Sequence, residues 1–429
     1  MKKMKESFKN FLESKVVPLA TKMASNRVLI AVRDGITLAM PLIIIGSIFM
    51  VTASFPIPGW EQFLNDIGVA GYLWKGVDCS FGLVGLVASF GIANSFAEQY
   101  KVEGISAGII SLSSFVLITP FISSDNGSGL PINYLGAKGL FIAIILSILS
   151  ALVYQWFINH NIQIKMPESV PPAVSKSFSA ILPGAAIITF WLVIFSILDK
   201  YSLPNLHQIA EVALGTPLKL LGSNIFGTIV IVSMNSLLWF VGVHGGLVNN
   251  LMQPTWIANI DANRVAYQNG LPLEHVITQP FMDNFVYIGG GGATIGLVLS
   301  IAYFAHKKHS SKRSKVLSPI TVVPGLFNIN EPTMFGVPIV LNFFLLIPFV
   351  LTPILNAVVS YLAMSSGIVP LTRNVASWTM PPILSGFLTT GSIRGAILQF
   401  VLLALDIMMY YPFFRLIEKR FKEEEKISV

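Results

Sequence analysis

The chain has 429 residues, of which 53% are hydrophobic and 11% charged, with a mean hydropathy of +0.70. Soluble domains carry about 25% charged residues, so soluble, disordered, collagen-like and disulfide-stapled classes are excluded and a polytopic membrane protein remains. The net charge of +7 does not point to nucleic acid, because 17 of the 28 basic residues fall in three short polar segments, 1–27, 306–315 and 415–429; loops kept on the positive-inside face look like this.

In chain order, residues 1–27 read as a basic cytoplasmic N-terminus, too long in its basic part for a cleaved signal. Apolar runs near the ~20 residues that cross a bilayer fall at 35–55, 80–97, 104–122, 139–158, 178–198, 223–248, 285–305, 337–362 and 393–414. Asp34 follows Arg33 at the first run and reads as a structural pair. Cys79 is the single cysteine, so no intrachain disulfide and no Cys/His zinc spacing exist. Lys138, at the mouth of the fourth run, reads either as an interfacial anchor or as a ligand contact.

The connection 249–284 is too long to be a casual loop and carries the neutral hydrogen-bonding groups Thr278, Gln279 and Asn284. Gly289 to Gly292 lack the strand context and spacing of a dinucleotide fingerprint and read as close helix packing. Seven crossings before residue 306 would put the basic loop 306–315 on the wrong side. One further crossing is therefore expected, from 202–221 or 249–284. The Pro- and Gly-rich stretches 319–336 and 372–392 read as re-entrant hairpins, which are permitted only beside protein or a watery cavity. Asp406, in the last run, reads as a hydrogen bond between helices.

Two stretches carry chemistry. Asn328-Ile329-Asn330-Glu331-Pro332-Thr333 puts a carboxylate in an apolar hairpin, where an ionisable group is a functional residue by default. The bland alternative, a helix cap, is weak because Glu is a poor N-cap. Trp239 and His244-Gly245-Gly246 lie in the sixth run, and His244 is the one histidine inside an expected span. A neutral imidazole both donates and accepts, an aromatic face suits a sugar ring, and glycine admits close approach of a ligand. Trp378, in the second hairpin, reads either as packing or as a similar platform. The P-loop pattern is absent, so ATP is not the direct motor, and no cofactor or metal is called for.

With these residues, the chain resembles the membrane IIC component of the bacterial phosphoenolpyruvate-dependent sugar phosphotransferase system, in its lactose/cellobiose/diacetylchitobiose branch. The resemblance implies an all-α polytopic homodimer in the bacterial cell membrane, with about ten transmembrane helices, two re-entrant hairpins and both termini cytoplasmic. It implies a division into 1–27, a dimerisation half 28–222, a sugar-binding half 223–414 and a tail 415–429. It implies a disaccharide carried across and presented by its 6-hydroxyl to the phosphocysteine of a separate IIB protein, with IIA upstream. His244 and Glu331 would contact the sugar near the reacting hydroxyl, and Trp239, Trp378, Asn284 and Lys138 would line the rest. A proton-coupled sugar symporter is the rival, with Glu331 or Asp406 as proton carrier; a membrane glycosyltransferase would need clustered Asp residues that the chain lacks.

Overall fold

The computed structural model describes residues 18, 21–22, 25–124, 127–167, 169–240, 246–337, 339 and 342–427. The chain is helical almost throughout, in keeping with an all-α membrane protein, with one short hairpin, β1 (Ile122–Ser124) and β2 (Gly127–Gly129), as the exception. The N-terminal portion runs through α1 (Arg27–Leu38), α2 (Met40–Ala53), α3 (Trp60–Asp66), α4 (Ala70–Asp78), α5 (Val84–Glu98) and α6 (Gly104–Ile118). After the hairpin come α7 (Ile132–Leu135), α8 (Leu140–Asn159), α9 (Pro172–Ser179), α10 (Ile181–Lys200), α11 (Leu206–Ala210) and α12 (Thr216–Gly222). The C-terminal portion holds α13 (Ile225–Phe240), α14 (Gly246–Gln268), α15 (Ile295–Ala305), α16 (Lys312–Leu326), α17 (Glu331–Gly336), α18 (Phe343–Ser365), α19 (Leu384–Thr390) and α20 (Ile393–Ile427).

Five helical stretches are long and apolar enough to cross a bilayer, seven if each bent pair counts as one span, and two shorter apolar helices accompany them. Each of the nine expected apolar runs meets one of these. The 40° bend between α1 and α2 falls at Ala39, two residues before Pro41 in the first turn of α2; proline has no N–H to donate, so the helical ladder loses a bond there. The 84° break before α13 falls at Ser223-Asn224, where Asn224 Oδ1 accepts from Gly227 N at 2.8 Å.

α14 is not one of these apolar helices. Its 23 residues rise about 34 Å at ~1.5 Å each, enough for a bilayer's hydrocarbon core, yet Asn259, Asp261, Asn263 and Arg264 on it are all buried. Protein groups satisfy them: Asn263 Nδ2 donates to Thr372 O at 2.9 Å and His275 O at 2.7 Å, and Arg264 pairs with Asp261 at 2.8 Å. A helix whose polar groups are answered by neighbours needs no apolar surface. Most of it lies in 249–284, one of the two segments that charge parity singled out.

Buried apolar residues form one cluster drawn from 31–210, joined by Ile257, Ile260 and Val375, and two more drawn from 231–421. Both proline-rich stretches break the helical path. In the first, α16 ends at Leu326 and α17 starts at Glu331; in the second, an irregular strand of chain leads to α19 and on through Gly391 to α20. Arg33 and Asp34 form the expected pair at 2.7 Å. Asp406 is fully buried where α20 crosses Gly296 of α15, with the Asn356 side chain of α18 as its hydrogen-bonding neighbour across helices. His207, which reads as polar-segment sequence, is also buried; it stacks on Tyr134 at 4.3 Å and meets Thr119 Oγ1 at 3.0 Å.

The basic loop 306–315 is tied to the end of α20. Ser311 N and Oγ donate to Glu418 at 2.7 and 2.8 Å, and the N–H groups of Lys312 and Arg313 donate to Glu425, each at 3.0 Å. Loop and C-terminal tail therefore share one face of the molecule. A single cysteine at position 308 in a Cys79→Ser background is expected to resist impermeant maleimide in intact cells and to react in inverted vesicles. Labelling from outside would reverse the assigned orientation.

Candidate functional site

Chain breaks in the C-terminal portion converge on a cavity of about 320 Å³. α13 contributes Asn235 and Trp239, four residues apart and so on one helix face. The start of α14 contributes Gly246 and Asn249. A single turn of π-helix, Phe281–Val286, contributes Asp283, followed by Tyr287; such turns gather at functional sites because they re-aim side chains within a helical path. Gly290, Gly291, Asn328, Asn330, Glu331 and Trp378 complete the lining.

Two tight turns interlock at its floor. Gly289, Gly290 and Gly292 have φ of +82°, +91° and +79°, which glycine alone adopts without strain. A Cβ at Gly290 would stand 2.7 Å from Asn330 Cγ, and one at Gly291 would stand 2.6 Å from Trp239 Nε1. The glycine run is thus a loop approached from both sides, not the helix-packing stripe its sequence suggests. Asn328, itself at φ +61°, accepts from Gly289 N at 2.6 Å and donates to the Trp378 carbonyl. Asn330 Nδ2 donates to Gly291 O at 2.8 Å, and Tyr410 OH donates to Gly292 O at 2.6 Å. One asparagine side chain therefore joins the glycine loop, the first hairpin and the second.

Glu331 is the first residue of α17, not its cap. Asn330 occupies the cap position and its side chain is committed to Gly291. Among the described residues the Glu331 carboxylate makes no hydrogen bond or ion pair; it is exposed to the cavity. Partial positive charge at a helix start favours a carboxylate there, and its oxygens are left to accept from a ligand.

Three of the six expected site residues, Trp239, Glu331 and Trp378, share this cavity. Asn284 is buried beside it without lining it; its carbonyl accepts from Gln399 Nε2 at 2.6 Å, while its amide atoms have no partner. Lys138 is exposed on a short turn, Ala137–Gly139, that packs against α14, and it is not among the lining residues. His244 lies outside the described residues. Sequence reasoning passed over Asp283, the second cavity carboxylate, because the apolar run was taken to begin at 285; an acid two residues from such a run was the available signal. Asn235, Asn249 and Tyr287 carried none, since single amides and phenols are common in polar and interfacial helices alike.

The lining is therefore two carboxylates, four asparagines, a tyrosine and two tryptophans. Neutral amides answer many hydroxyls at once, indole faces cover apolar ring faces, and the volume lies at the small end of the ~300–1,000 Å³ of ligand pockets. Residues 33–353 match the family described as "Phosphotransferase system, EIIC". The chain belongs to the phosphotransferase system EIIC family. This EIIC chain is 44% identical to the lichenan permease IIC component of Bacillus subtilis (strain 168), over 97% of its own length and 95% of that protein. It is 42% identical to the cellobiose-specific EIIC component of Geobacillus stearothermophilus, over 98% and 96%. Its fold matches the crystal structure of the transporter ChbC, the IIC component from the N,N'-diacetylchitobiose-specific phosphotransferase system, with a TM-score of 0.90 at 39% identity, covering 97% of this chain and 99% of that one. EIIC components work with a IIB protein and a sugar substrate, and they are integral to the membrane.

Proposed function

We propose that this EIIC protein binds a disaccharide of the cellobiose, diacetylchitobiose or lactose type in the cavity above, carries it across as a homodimer, and presents its 6-hydroxyl to the phosphocysteine of a separate IIB protein charged by IIA. The observation that carries the reading is the Glu331 carboxylate, without a partner among the described residues, lining an asparagine-rich cavity with Trp239 and Trp378. In this reading Glu331 accepts a hydrogen bond from the 6-hydroxyl, the indoles cover the ring faces, and His244 stands near the reacting end. The reading rests on Glu331, Trp239 and Trp378 rather than on Lys138 or Asn284. The 28–222 half holds the dimer contact, and loop 306–315 faces the cytoplasm with both termini.

Proteoliposomes carrying the purified chain, with phosphorylated IIB on the loop 306–315 side and cellobiose on the other, should accumulate cellobiose 6-phosphate. Accumulation of unmodified sugar that collapses with the proton gradient would instead establish the symporter. Cys79 is exposed at the end of α4 and far in sequence from every cavity element. Cys79→Ser is therefore expected to keep phosphorylation-coupled uptake at the wild-type rate once IIB is supplied, and loss of coupling in a folded variant would show the thiol to be a phosphoryl carrier.

A further inference from the structure

We propose that the cleft between the C-terminal end of α15 and the adjoining face of α16 is a binding site for an anionic phospholipid with a hydroxylated headgroup. The cleft is about 480 Å³. One end is polar, with His306, Lys315 and Ser318; the rest is apolar, with Ala302, Pro319 and Val323 among its walls. It lies where the helices leave the apolar belt: Tyr303, Val316, Ile320 and Val323, on the same two helices, are exposed large apolar residues, and the basic loop begins immediately beyond. An apolar trough ending in a lysine at that level fits acyl chain and anionic headgroup together; basic pockets between membrane helices on the cytoplasmic side hold such lipids.

Positive-inside topology needs basic residues near the membrane, but it does not need them distributed as they are here. Lys307 lies over the Tyr303 and Phe304 rings at 4.4 and 4.9 Å, and Arg313 over Phe421 at 4.4 Å. Glu425, the carboxylate that feels Lys315, is already held by the N–H groups of Lys312 and Arg313. Lys315 makes no ion pair among the described residues, Glu425 being the carboxylate that feels its charge. His306 Nδ1 is 2.8 Å from Ala302 O; a carbonyl only accepts, so Nδ1 carries the proton and Nε2 of the neutral ring is an acceptor. A phosphate facing Lys315 and a headgroup hydroxyl donating to His306 Nε2 together describe phosphatidylglycerol better than a zwitterionic lipid.

The test is native mass spectrometry of the purified protein titrated with phosphatidylglycerol or phosphatidylcholine, on wild type, Lys315→Gln, and Ala302→Leu, which fills the trough and keeps Lys315 and His306. Wild type is expected to retain phosphatidylglycerol preferentially. Lys315→Gln should lower that retention about fivefold, the worth of one cation near an anionic headgroup, with phosphatidylcholine unaffected. Ala302→Leu should lower retention of phosphatidylglycerol although its charges are intact, and soluble glycerol phosphate should bind to none of them. Equal retention of the two lipids, unchanged retention in both variants, or glycerol phosphate binding as well as the lipid would each overturn the site. So would a Lys315→Gln protein that keeps its lipid but supports phosphoryl transfer from IIB to the sugar poorly, because the lysine would then belong to a protein-docking surface.

Discussion

Glu331→Gln is expected to reach the membrane and fold, yet to bind disaccharide roughly tenfold to a hundredfold more weakly and to lose coupled uptake. The figure follows from a charge-assisted hydrogen bond, worth about 1.5–3 kcal/mol, to a carboxylate that has no protein partner among the described residues. Glu331→Asp separates ligand binding from helix stabilisation. Both acids keep a negative charge in the first turn of α17, worth ~0.3–1 kcal/mol there, so a purely structural Glu331 would tolerate Asp. A sugar ligand would not, because one carbon less withdraws the oxygens from the hydroxyl they serve. Titration calorimetry on the purified proteins decides, and an Asp variant binding as tightly as wild type would remove Glu331 from the sugar site.

Asn328 should be the residue whose loss disturbs the most. Asn328→Ala strands a buried Gly289 N–H and the Trp378 carbonyl and leaves a Cβ-bearing residue at φ +61° without the local side-chain bonds that make this conformation tolerable for asparagine. Two orphaned groups cost roughly 2–4 kcal/mol, enough to lower the melting temperature clearly and to let the glycine loop part from the hairpins that line the cavity. Asn328→Gly removes the backbone strain but not the lost bonds, so it should fall between Ala and wild type in stability and remain as poor as Ala in sugar binding. Asn328→Asp keeps the acceptor for Gly289 but turns a carboxylate oxygen toward the Trp378 carbonyl, and should bind worse than Gly. Thermal unfolding with and without cellobiose ranks all four; an Ala variant as stable as wild type would show that the two turns hold together without this side chain.

Charge scarcity and nine apolar runs were enough to establish a helical membrane protein, because the bilayer demands long apolar segments whatever the details of packing. The same logic placed the two broken hairpins: proline removes donors and a carboxylate cannot face lipid, so 319–336 and 372–392 had to lie beside protein or water, and Glu331 and Trp378 meet at one cavity. Only tertiary structure decided the rest. α14 is invisible to hydropathy because its buried polar groups are answered inside the fold: Arg264 by Asp261 one turn away, Asn259 by the Ile277 carbonyl, and Asn263 by the Thr372 carbonyl, a partner more than a hundred residues away that no linear pattern reports. The glycine loop gains its meaning from what approaches it, Trp239 and Asn330, and Asp283 from the cavity it lines with them; that Asn284 is buried without lining that cavity is likewise a matter of packing. Period and composition report the solvent around a segment, whereas the site is a set of close approaches between segments, and those arise only when the chain is folded.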